Sequence, residues 1–472
     1  MQLDQGRHVA ATPERDRPAT VGSTDLERDT ALPLDRNRNS SAASDRTTGL
    51  AAAIGRLLGG TPPIAIDCYD GSHIGPESSD ATLVVRSPKA LRYALTAPGE
   101  LGIARAYVSG ELDVDGDIFA ALSLRDQLPD VRLGAAEWLD LARIAGAAGL
   151  RPLPPPPEEA RLRGRRHSKE RDAAAIAHHY DVSNEFYRLV LGPSMTYSCG
   201  VWPSADATLE TAQATKYELV SGKLGLEPGM RLLDVGCGWG GMAIHAARHH
   251  GVHAVGVTLS HRQAEWARRA VRDAGLEDRV EIRVQDYREL HDGPFDAISS
   301  IGMFEHVGVT QLDQYFASLF ALLRPGGRLL NHGISRPSSP HERPRFARRG
   351  FIDRYVFPDG ELHEVGSVVS RIQKAGFEAR HVEGLREHYA LTLRAWVRNL
   401  EQSWSDAIDE VGAARARVWR LYMAASALNF EAGRTQIHQV LAVKDDRGAS
   451  GLALRPSWEP VAASTGTPTS AR

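Results

Sequence analysis

The sequence is short of cysteine and has no excess of charge of either sign, and each shortage excludes a class of protein. Only 3 of its 472 residues are cysteines: Cys68, Cys199 and Cys237. They are too few and too scattered for a disulfide framework or a four-ligand zinc site, so we expect a reducing cytoplasm and no bound metal. The formal net charge of −3 lacks the surplus of Lys and Arg that neutralises phosphates, so no nucleic-acid partner is expected.

Long apolar runs are missing as well. No uncharged apolar run reaches the roughly 18 residues of a membrane span, and residues 1–48 lack the apolar core of a signal peptide. Any contact with a membrane must therefore be made from its surface. We expect a cytoplasmic, peripherally membrane-associated protein.

Changes in composition divide the chain into five segments. Residues 1–48 are rich in Asp, Arg, Ser, Thr and Pro and poor in large apolar side chains, which predicts a disordered tail. Residues 49–135 alternate strand-like and helix-like patterns and predict a small α+β domain. Residues 136–172 form a proline-rich and basic linker, residues 173–446 the main domain, and residues 447–472 a flexible C-terminal tail.

Two short stretches of the chain are strongly basic. Residues 161–171 hold six basic side chains against one acid, and residues 343–349 read Arg-Pro-Arg-Phe-Ala-Arg-Arg. Clusters of this kind attract anionic lipid headgroups at a membrane surface. For both stretches an ordinary solvated segment is the alternative, and the sequence leaves it open.

Residues 230–248 predict a buried strand, a glycine-rich turn and a helix. Gly236, Gly238 and Gly240 let the backbone approach a ligand closely. Asp234 precedes the first of them by two positions, and the Gly-Lys-Ser/Thr of a triphosphate-binding loop is missing. The loop resembles motif I of class I S-adenosylmethionine (SAM) methyltransferases, which assigns Asp234 and the three glycines to the cofactor.

The next two predicted strands refine the identity of the cofactor. The strand at residues 253–258 ends without the acid that binds the ribose in dinucleotide enzymes; Thr258, Leu259, Ser260 and Gln263 follow instead, which counts against NAD. The strand at residues 280–284 leads to Asp286. That carboxylate could accept from the adenine amino group, or it could simply cap a turn.

Seven further segments resemble the cyclopropane fatty acid and mycolic acid cyclopropane synthases. The first two read His-His-Tyr-Asp-Val-Ser-Asn-Glu-Phe-Tyr at residues 178–187 and Met-Thr-Tyr-Ser-Cys-Gly-Val-Trp at residues 195–202. The others follow in order at residues 233–240, 258–263, 301–306, 351–358 and 388–396. The resemblance covers roughly residues 170–445. It implies an α/β fold: a doubly wound, Rossmann-like class I methyltransferase sheet with the smaller α+β domain at the N-terminus.

The resemblance also implies two sets of site residues. The SAM contacts implied are Tyr197, Ser198, Gly236, Gly238, Thr258, Leu259, Gln263, Asp286 and Tyr287. A bicarbonate site is implied with side chains from Glu305, His332 and Tyr389 and backbone groups from Cys199 and Ile334. The two cofactors expected are therefore SAM and bicarbonate. Cys199 has a positional role in this reading, and Ser426 stands where some bacterial synthases carry a cysteine, so no covalent role is expected there.

The implied reaction is methylene transfer from SAM to the cis double bond of an unsaturated phospholipid acyl chain, giving a cyclopropane. Methyl transfer leaves a carbocation, so the pocket must be dry and lined with aromatic faces, and the bicarbonate must remove a proton from the added methyl. Aromatic side chains that are candidates for this wall are Tyr180, Phe186, Tyr187, Trp202 and Phe304.

Three alternatives remain open at this point. The same cation, deprotonated elsewhere, gives a methylene-branched chain that a partner reductase could saturate. A soluble small-molecule methyltransferase would need a nucleophilic acceptor, and an inactive module would bind SAM or lipid without turnover. The expected partners are acyl chains at the membrane surface, and a homodimer is compatible with the sequence.

Overall fold

The computed structural model describes residues 49–97, 99–127, 151–160, 171, 183–338, 350–358 and 360–458. The predicted N-terminal tail lies outside these residues. Most of the linker also lies outside them. The first basic stretch is described only at Arg171, and the second basic stretch, residues 343–349, is not described at all. The disorder and headgroup contacts predicted for those segments stay predictions.

Residues 49–127 form a small layer of strands and helices. Its sheet has the order β2-β1-β3-β4, with β1 parallel to β3 and the other neighbours antiparallel. Ser87 caps helix α2 through its hydroxyl, and Pro88 occupies the first turn, where its missing N–H costs nothing. The elements are α1 (Leu50–Leu57), β1 (Ala65–Cys68), β2 (His73–Ile74), β3 (Ala81–Val85), α2 (Pro88–Thr96), α3 (Glu100–Val108), β4 (Leu112–Gly116) and α4 (Ile118–Gln127).

The main part of the chain alternates helices with strands. Its elements are α5 (Asn184–Leu191), α6 (Leu209–Leu224), β5 (Arg231–Val235), α7 (Gly241–His250), β6 (His253–Thr258), α8 (His261–Asp273), β7 (Val280–Val284), β8 (Phe295–Ile301), α9 (Leu312–Leu322), β9 (Leu323–Ser335), α10 (Phe351–Tyr355), α11 (Val365–Lys374), β10 (Glu378–Gly384), α12 (Arg386–Gln402), α13 (Trp404–Val411), α14 (Ala413–Glu431) and β11 (Gln436–Val443). Short 3₁₀ turns occupy Tyr287–Glu289 and Phe304–His306.

Seven of these strands make one sheet in the order β10-β11-β9-β8-β5-β6-β7. β7, β6, β5, β8 and β9 run parallel, while β11 is antiparallel to both β9 and β10. Four of the five residues of β5 are buried, as expected for a central parallel strand covered on both faces. The predicted doubly wound α/β sheet is thereby confirmed. The strand order reverses between β5 and β8, and ligands of such sheets bind outside the carboxyl ends of strands at that point.

The small sheet is joined to the main part by a buried arginine. Arg420 of α14 donates from Nη1 to Tyr107 Oη at 3.2 Å and from Nη2 to the carbonyl oxygen of Gly116 at 3.2 Å. Its Nε donates to Glu401 at 2.7 Å. Residues of α3 and α4 share one apolar core with α5, α12 and α14. The two regions are thus packed together, and the domain boundaries predicted from composition stay a prediction.

Two segments outside the sheets pack against the folded part of the chain. In the proline-rich linker, Glu159 is buried and accepts from Arg105 at 2.9 Å and from Arg354 at 2.9 Å. In the predicted C-terminal tail, the carbonyl oxygen of Gly451 accepts from Arg328 of β9 at 2.9 Å. The ring centroid of Trp458, also in the tail, lies 5.7 Å from Nζ of Lys223. Residues 459–472 lie outside the described part.

Among the described residues, no helix combines the length and the apolar composition that crossing a bilayer requires.

Candidate active site

The loop after β5 folds tightly because its glycines adopt backbone angles that side chains resist. Gly236 has φ +77° and Gly238 has φ +54°. The N–H groups of Gly236 and Cys237 both donate to the carbonyl oxygen of Val257 in β6, which holds the loop against that strand. At Gly241, a Cβ would come within 2.2 Å of Tyr217 Oη, so the start of α7 has no room for a larger residue.

A cavity lies at the carboxyl ends of β5, β6 and β8, where ligands of such sheets bind. Nine of the eleven residues predicted to contact SAM line it: Tyr197, Ser198, Asp234, Gly236, Gly238, Thr258, Leu259, Gln263 and Tyr287. Gly240 and Asp286 are not among the residues that line the cavity.

Asp286 and Gly240 lie beside the cavity with structural tasks. Asp286 caps the turn Tyr287–Glu289 by accepting from the N–H of Arg288 at 2.9 Å, and its carboxylate pairs with the Arg288 guanidinium at 2.6 Å. This arrangement matches the turn-capping alternative, and the neighbouring Tyr287 reaches the cavity. Gly240 precedes α7 with φ +86°.

A buried lysine and a buried aspartate line the cavity, and their charges interact. Lys216 of α6 is 1% exposed, and its Nζ donates to Ser198 Oγ at 2.9 Å. Asp234, at the end of β5, is 2% exposed and accepts from Ser299 at 2.7 Å. Burial lowers the pKa of Lys216 to about 7 and raises the pKa of Asp234 to about 6. The cavity wall therefore holds one amine and one carboxyl group that both change charge near neutral pH.

Sequence analysis did not identify Lys216. The buried residues of helix α6 include four polar side chains, Gln213, Lys216, Ser221 and Lys223, beside Leu209, Ala212, Tyr217, Val220 and Leu224. Because polar and apolar residues are mixed along the helix, no apolar stripe marks Lys216 as a buried position. Its burial follows from the packing of α6 against the sheet, which the sequence does not reveal.

A second group of polar side chains lies where β8 and β9 end. Glu305 follows β8 and accepts from the backbone N–H of Ile334 at 2.6 Å through Oε1. His332 of β9 is 1% exposed, and its Nδ1 lies 3.1 Å from Nε2 of Gln439. Within the described part of the chain, the other atoms of the pair, Glu305 Oε2 and His332 Nε2, are buried without a hydrogen-bond partner.

Burial shifts the pKa of both side chains toward their uncharged forms. Burial raises the pKa of Glu305 to about 7, although the hydrogen bond from Ile334 works in the opposite direction. Burial lowers the pKa of His332 to about 3, so its ring is uncharged at neutral pH. A buried polar atom without a partner costs about 1–3 kcal/mol. Glu305 Oε2 and His332 Nε2 are two such atoms on neighbouring strand ends, and they indicate a binding site for a small polar group.

Contacts along the backbone connect Cys199 and Tyr389 to this place. Cys199 is fully buried, and its Sγ lies 3.7 Å from the carbonyl oxygen of Leu385. The N–H of Leu385 donates to Ile437, which pairs with Ile334 in the sheet. Tyr389 follows one turn later in α12 and is 5% exposed. Burial raises the pKa of Cys199 far above its usual range, which keeps the thiol protonated and a poor nucleophile.

An aromatic cluster borders the cavity on the side of α5, α12 and α14. Tyr197 lines the cavity and stacks on Trp396 with ring centroids 5.2 Å apart. Tyr187 packs 4.7 Å from Trp239 and Tyr422 receives a hydrogen bond from Tyr197 at 3.3 Å. Of the wall residues predicted from sequence, Phe186 and Tyr187 belong to the cluster, Trp202 donates to Thr392, Phe304 adjoins Glu305, and Tyr180 lies outside the described residues.

One surface group has the composition of a metal site but satisfies itself. The Glu218 carboxylate accepts from Nε2 of His245 at 2.8 Å and from Nε2 of His250 at 3.2 Å, one imidazole on each oxygen. Their ligand atoms lie within 4.8 Å of one another. Because each carboxylate oxygen already has a partner, the geometry does not require an ion, and the absence of a metal stays a prediction.

The sheet order, the glycine loop after β5 and the cavity beside it define a class I methyltransferase fold. The family model described as mycolic acid cyclopropane synthetase matches residues 167–440. The chain therefore belongs to the cyclopropane synthase family and is a SAM-dependent methyltransferase.

Known relatives agree with this placement. The chain is 50% identical over 85% of its length, and 96% of the relative's, to "Probable fatty acid methyltransferase Rv3720" of Mycobacterium tuberculosis. It is 35% identical to the cyclopropane-fatty-acyl-phospholipid synthase of Escherichia coli K12, over 77% of this chain and 88% of that one. The solved structure of the mycolic acid cyclopropane synthase CmaA1 with SAH and CTAB aligns with a TM-score of 0.55 and 34% identity, covering 58% of this chain and 98% of that one.

Proposed function

We propose that the protein transfers a one-carbon unit from SAM to the double bond of an unsaturated phospholipid acyl chain, with bound bicarbonate as the base and a cyclopropane as the product. The observation that carries this proposal is the pair of buried, unpartnered atoms Glu305 Oε2 and His332 Nε2 among the described residues. Two such atoms call for a small polar ligand that can meet them, and bicarbonate is one.

The charges in the cavity fit the methionine part of SAM. That part carries one carboxylate and one ammonium. The cavity wall carries one buried amine, on Lys216, that becomes an ammonium on protonation, and one buried carboxyl, on Asp234, that becomes a carboxylate on ionisation. A charge buried away from water is stabilised chiefly by an opposite charge within a few ångströms. Lys216 would hold the carboxylate and Asp234 the ammonium, while Gly236 and Gly238 give the backbone room to approach. When bound, SAM supplies an electrophilic methyl group on a positive sulfur.

The aromatic cluster supports the lipid-modifying reaction. When the alkene carbon bonds to the methyl and the sulfur–methyl bond breaks, the acyl chain is left as a carbocation. Water would trap that cation, and aromatic faces stabilise positive charge. Tyr197 provides such a face at the cavity, and Tyr187 and Trp396 pack against its ring from behind.

The polar pocket supports bicarbonate as the base. With its raised pKa, Glu305 is partly protonated near neutral pH and can donate to an anion through Oε2. His332, uncharged, can donate through Nε2 if that atom carries the ring proton. When bound, bicarbonate would accept the proton that leaves the added methyl, and the electron pair of that C–H bond would close the three-membered ring.

A second product is favoured by one specific observation. The relative that shares 50% identity is named a fatty acid methyltransferase. A 1,2-hydride shift would move the cation to the carbon that bears the added methyl, and loss of a methyl proton from that second cation would leave an exomethylene bond, giving a methylene-branched chain that a reductase could saturate. Both products begin from the same first cation and use the same base, so the residues discussed above serve either.

The proposal is tested with purified protein, SAM, bicarbonate and vesicles of a mono-unsaturated phospholipid. We expect acyl chains heavier by one CH₂, with proton signals of a cyclopropane ring, and loss of this product in Glu305→Leu. Glu361→Leu is the matched control, because Glu361 also accepts a backbone N–H, that of Val309 at 2.8 Å. Exomethylene signals would select the second product, and turnover only on a water-soluble acceptor would contradict both.

A further inference from the structure

Behind His332, three polar side chains line up across the edge of the main sheet. In the strand register, Glu383 of β10 is opposite Gln439 of β11, and Gln439 is opposite His332 of β9. Lys223, at the end of α6, is 0% exposed and reaches this row from below: its Nζ donates to Gln439 Oε1 at 2.7 Å and to Glu383 Oε2. Lys223, Glu383 and Gln439 are not among the residues that line the cavity.

The row fixes the orientation of the Gln439 amide. An ammonium group has three donors and no acceptor, so the atom of Gln439 that faces Lys223 must be its carbonyl oxygen. Burial lowers the pKa of Lys223, and Glu383, which accepts from the same nitrogen, acts in the opposite direction and favours the charged form. The NH₂ group of Gln439 therefore faces His332, 3.1 Å from Nδ1.

The amide orientation in turn fixes the ring proton of His332. An NH₂ group can only donate, so Nδ1 must be the atom that accepts, and it cannot carry a proton. The neutral ring then has its proton on Nε2, the buried atom that lacks a partner among the described residues. The unpartnered atom is thus a donor, which calls for an acceptor in the space it faces.

We propose that Glu383, Lys223 and Gln439 are positioning residues that lock His332 in the Nε2–H tautomer, so that His332 holds the anion of the second pocket as a hydrogen-bond donor and never serves as the general base. The identity of that anion as bicarbonate rests on the proposed function. The tautomer itself does not, since it follows from the three hydrogen bonds alone.

The direct test is the tautomer of His332 in the ligand-free, full-length protein. Imidazole nitrogens that carry a proton and those that do not have well-separated ¹⁵N shifts, and the signals of His332 are those that disappear in His332→Gln. We expect Nε2–H in the wild type. In Gln439→Glu the new carboxylate accepts from both Lys223 and the ring, so the proton moves to Nδ1. A wild-type ring with Nδ1–H, or an unchanged ring in Gln439→Glu, would overturn the proposal.

Lys223→Met separates positioning from folding. It removes the ammonium while keeping the length of the side chain, so Gln439 loses its fixed orientation. We expect a mixed tautomer and a bicarbonate concentration at half-maximal rate raised about tenfold, with the KM for SAM unchanged. Lys444→Met is the matched control: the ammonium of Lys444 also donates to two oxygens, the backbone carbonyls of Phe320 in α9 and Leu323 in β9, and it lies away from the row. It should leave the tautomer as it is.

The two proposals fail in different ways. If His332 has the Nε2–H tautomer and loses it in Gln439→Glu, the positioning role stands whether or not bicarbonate affects turnover. A rate independent of bicarbonate would contradict the proposed base alone. A Lys223→Met protein that folds, keeps Nε2–H and keeps its response to bicarbonate would contradict the positioning role alone.

Discussion

The carboxylate of Glu305 accepts a 2.6 Å hydrogen bond from the backbone N–H of Ile334, which ties the turn after β8 to the last residues of β9. Ile334 lies two residues beyond His332 in the extended strand β9, so the side chains of His332 and Ile334 point to the same side of the sheet. One carboxylate oxygen is thus used to fix the geometry, and the other is left to meet a ligand. The predictions below follow from this arrangement and from the charges around it.

Removing the Glu305 carboxyl should abolish most of the turnover. In Glu305→Leu the N–H of Ile334 loses its acceptor and the anion loses a donor, while the volume of the side chain is kept. Positioned acid–base groups contribute about 10²–10⁴-fold to rate, so we expect kcat to fall by at least about 10²-fold. The measurement is steady-state product formation, with thermal unfolding to verify the fold. An activity within a few-fold of wild type would contradict a role for Glu305 at the anion.

The affinity for bicarbonate should weaken as the pH rises. Because the pKa of Glu305 is raised to about 7, its carboxyl donates to the anion below that pH, and it ionises and repels the anion above it. We expect the KM for bicarbonate to increase between about pH 7 and pH 9. Glu305→Gln keeps an NH₂ donor that cannot ionise, so its KM should be flat over this range. A wild-type KM that is also flat would disagree with this assignment.

Lys216→Met should weaken SAM binding. A hydrogen bond to a charged partner contributes about 1.5–3 kcal/mol, which corresponds to a dissociation constant raised about 10- to 100-fold. The apo protein should gain stability or remain as stable, because a buried ammonium is lost. Calorimetric titration with SAM measures the affinity, and Lys444→Met is the control. Equal affinities in wild type and Lys216→Met would show that the methionine carboxylate lies elsewhere.

SAM binding should also take up a proton at alkaline pH. The pKa of Lys216 is lowered to about 7 by burial, so at about pH 8 most of the free protein has a neutral amine. A carboxylate placed beside that amine raises its pKa, and the group becomes protonated on binding. Asp234 and Cys199 are the other titratable groups whose charge acts on it. Titrations in buffers of different ionisation enthalpy would detect the uptake, which should vanish in Lys216→Met.

Arg420→Leu should loosen the joint between the small sheet and the main part. The substitution leaves the carbonyl of Gly116 and the hydroxyl of Tyr107 without their buried donor. Breaking a buried charged network costs about 3–5 kcal/mol, so the midpoint of denaturant unfolding should fall markedly. Arg398→Leu, on the exposed side of α12, should change stability by less than about 0.5 kcal/mol. Equal midpoints for the two variants would contradict a tight joint.

Local sequence was sufficient for the cofactor loop because its requirements are local. A buried strand, glycines at positions of positive φ and Asp234 just before them can be read within a dozen residues. The residues after β6, Thr258 to Gln263, could be assigned in the same way. Asp286 was harder, since capping a turn and binding a ligand demand the same side chain at the same place.

The rest depends on strand pairing and helix packing, which a single sequence does not reveal. Gln439 meets His332 only because β11 inserts antiparallel between β9 and β10. Lys223 reaches the same row from helix α6, which is 216 residues from Gln439 along the chain. The packing of Trp458 against Lys223 likewise could not be foreseen from the loop-like composition of residues 447–472.

The measurement that tests the central claim most directly uses SAM carrying a fully deuterated methyl group, with mono-unsaturated phospholipid vesicles and bicarbonate. If the base removes a proton from the added methyl, each new carbon in the lipid retains two deuterium atoms, whether the product is a ring or an exomethylene. Product that retains all three deuterium atoms would show that the proton leaves from elsewhere on the chain. That result would contradict the role given to the pocket between Glu305 and His332.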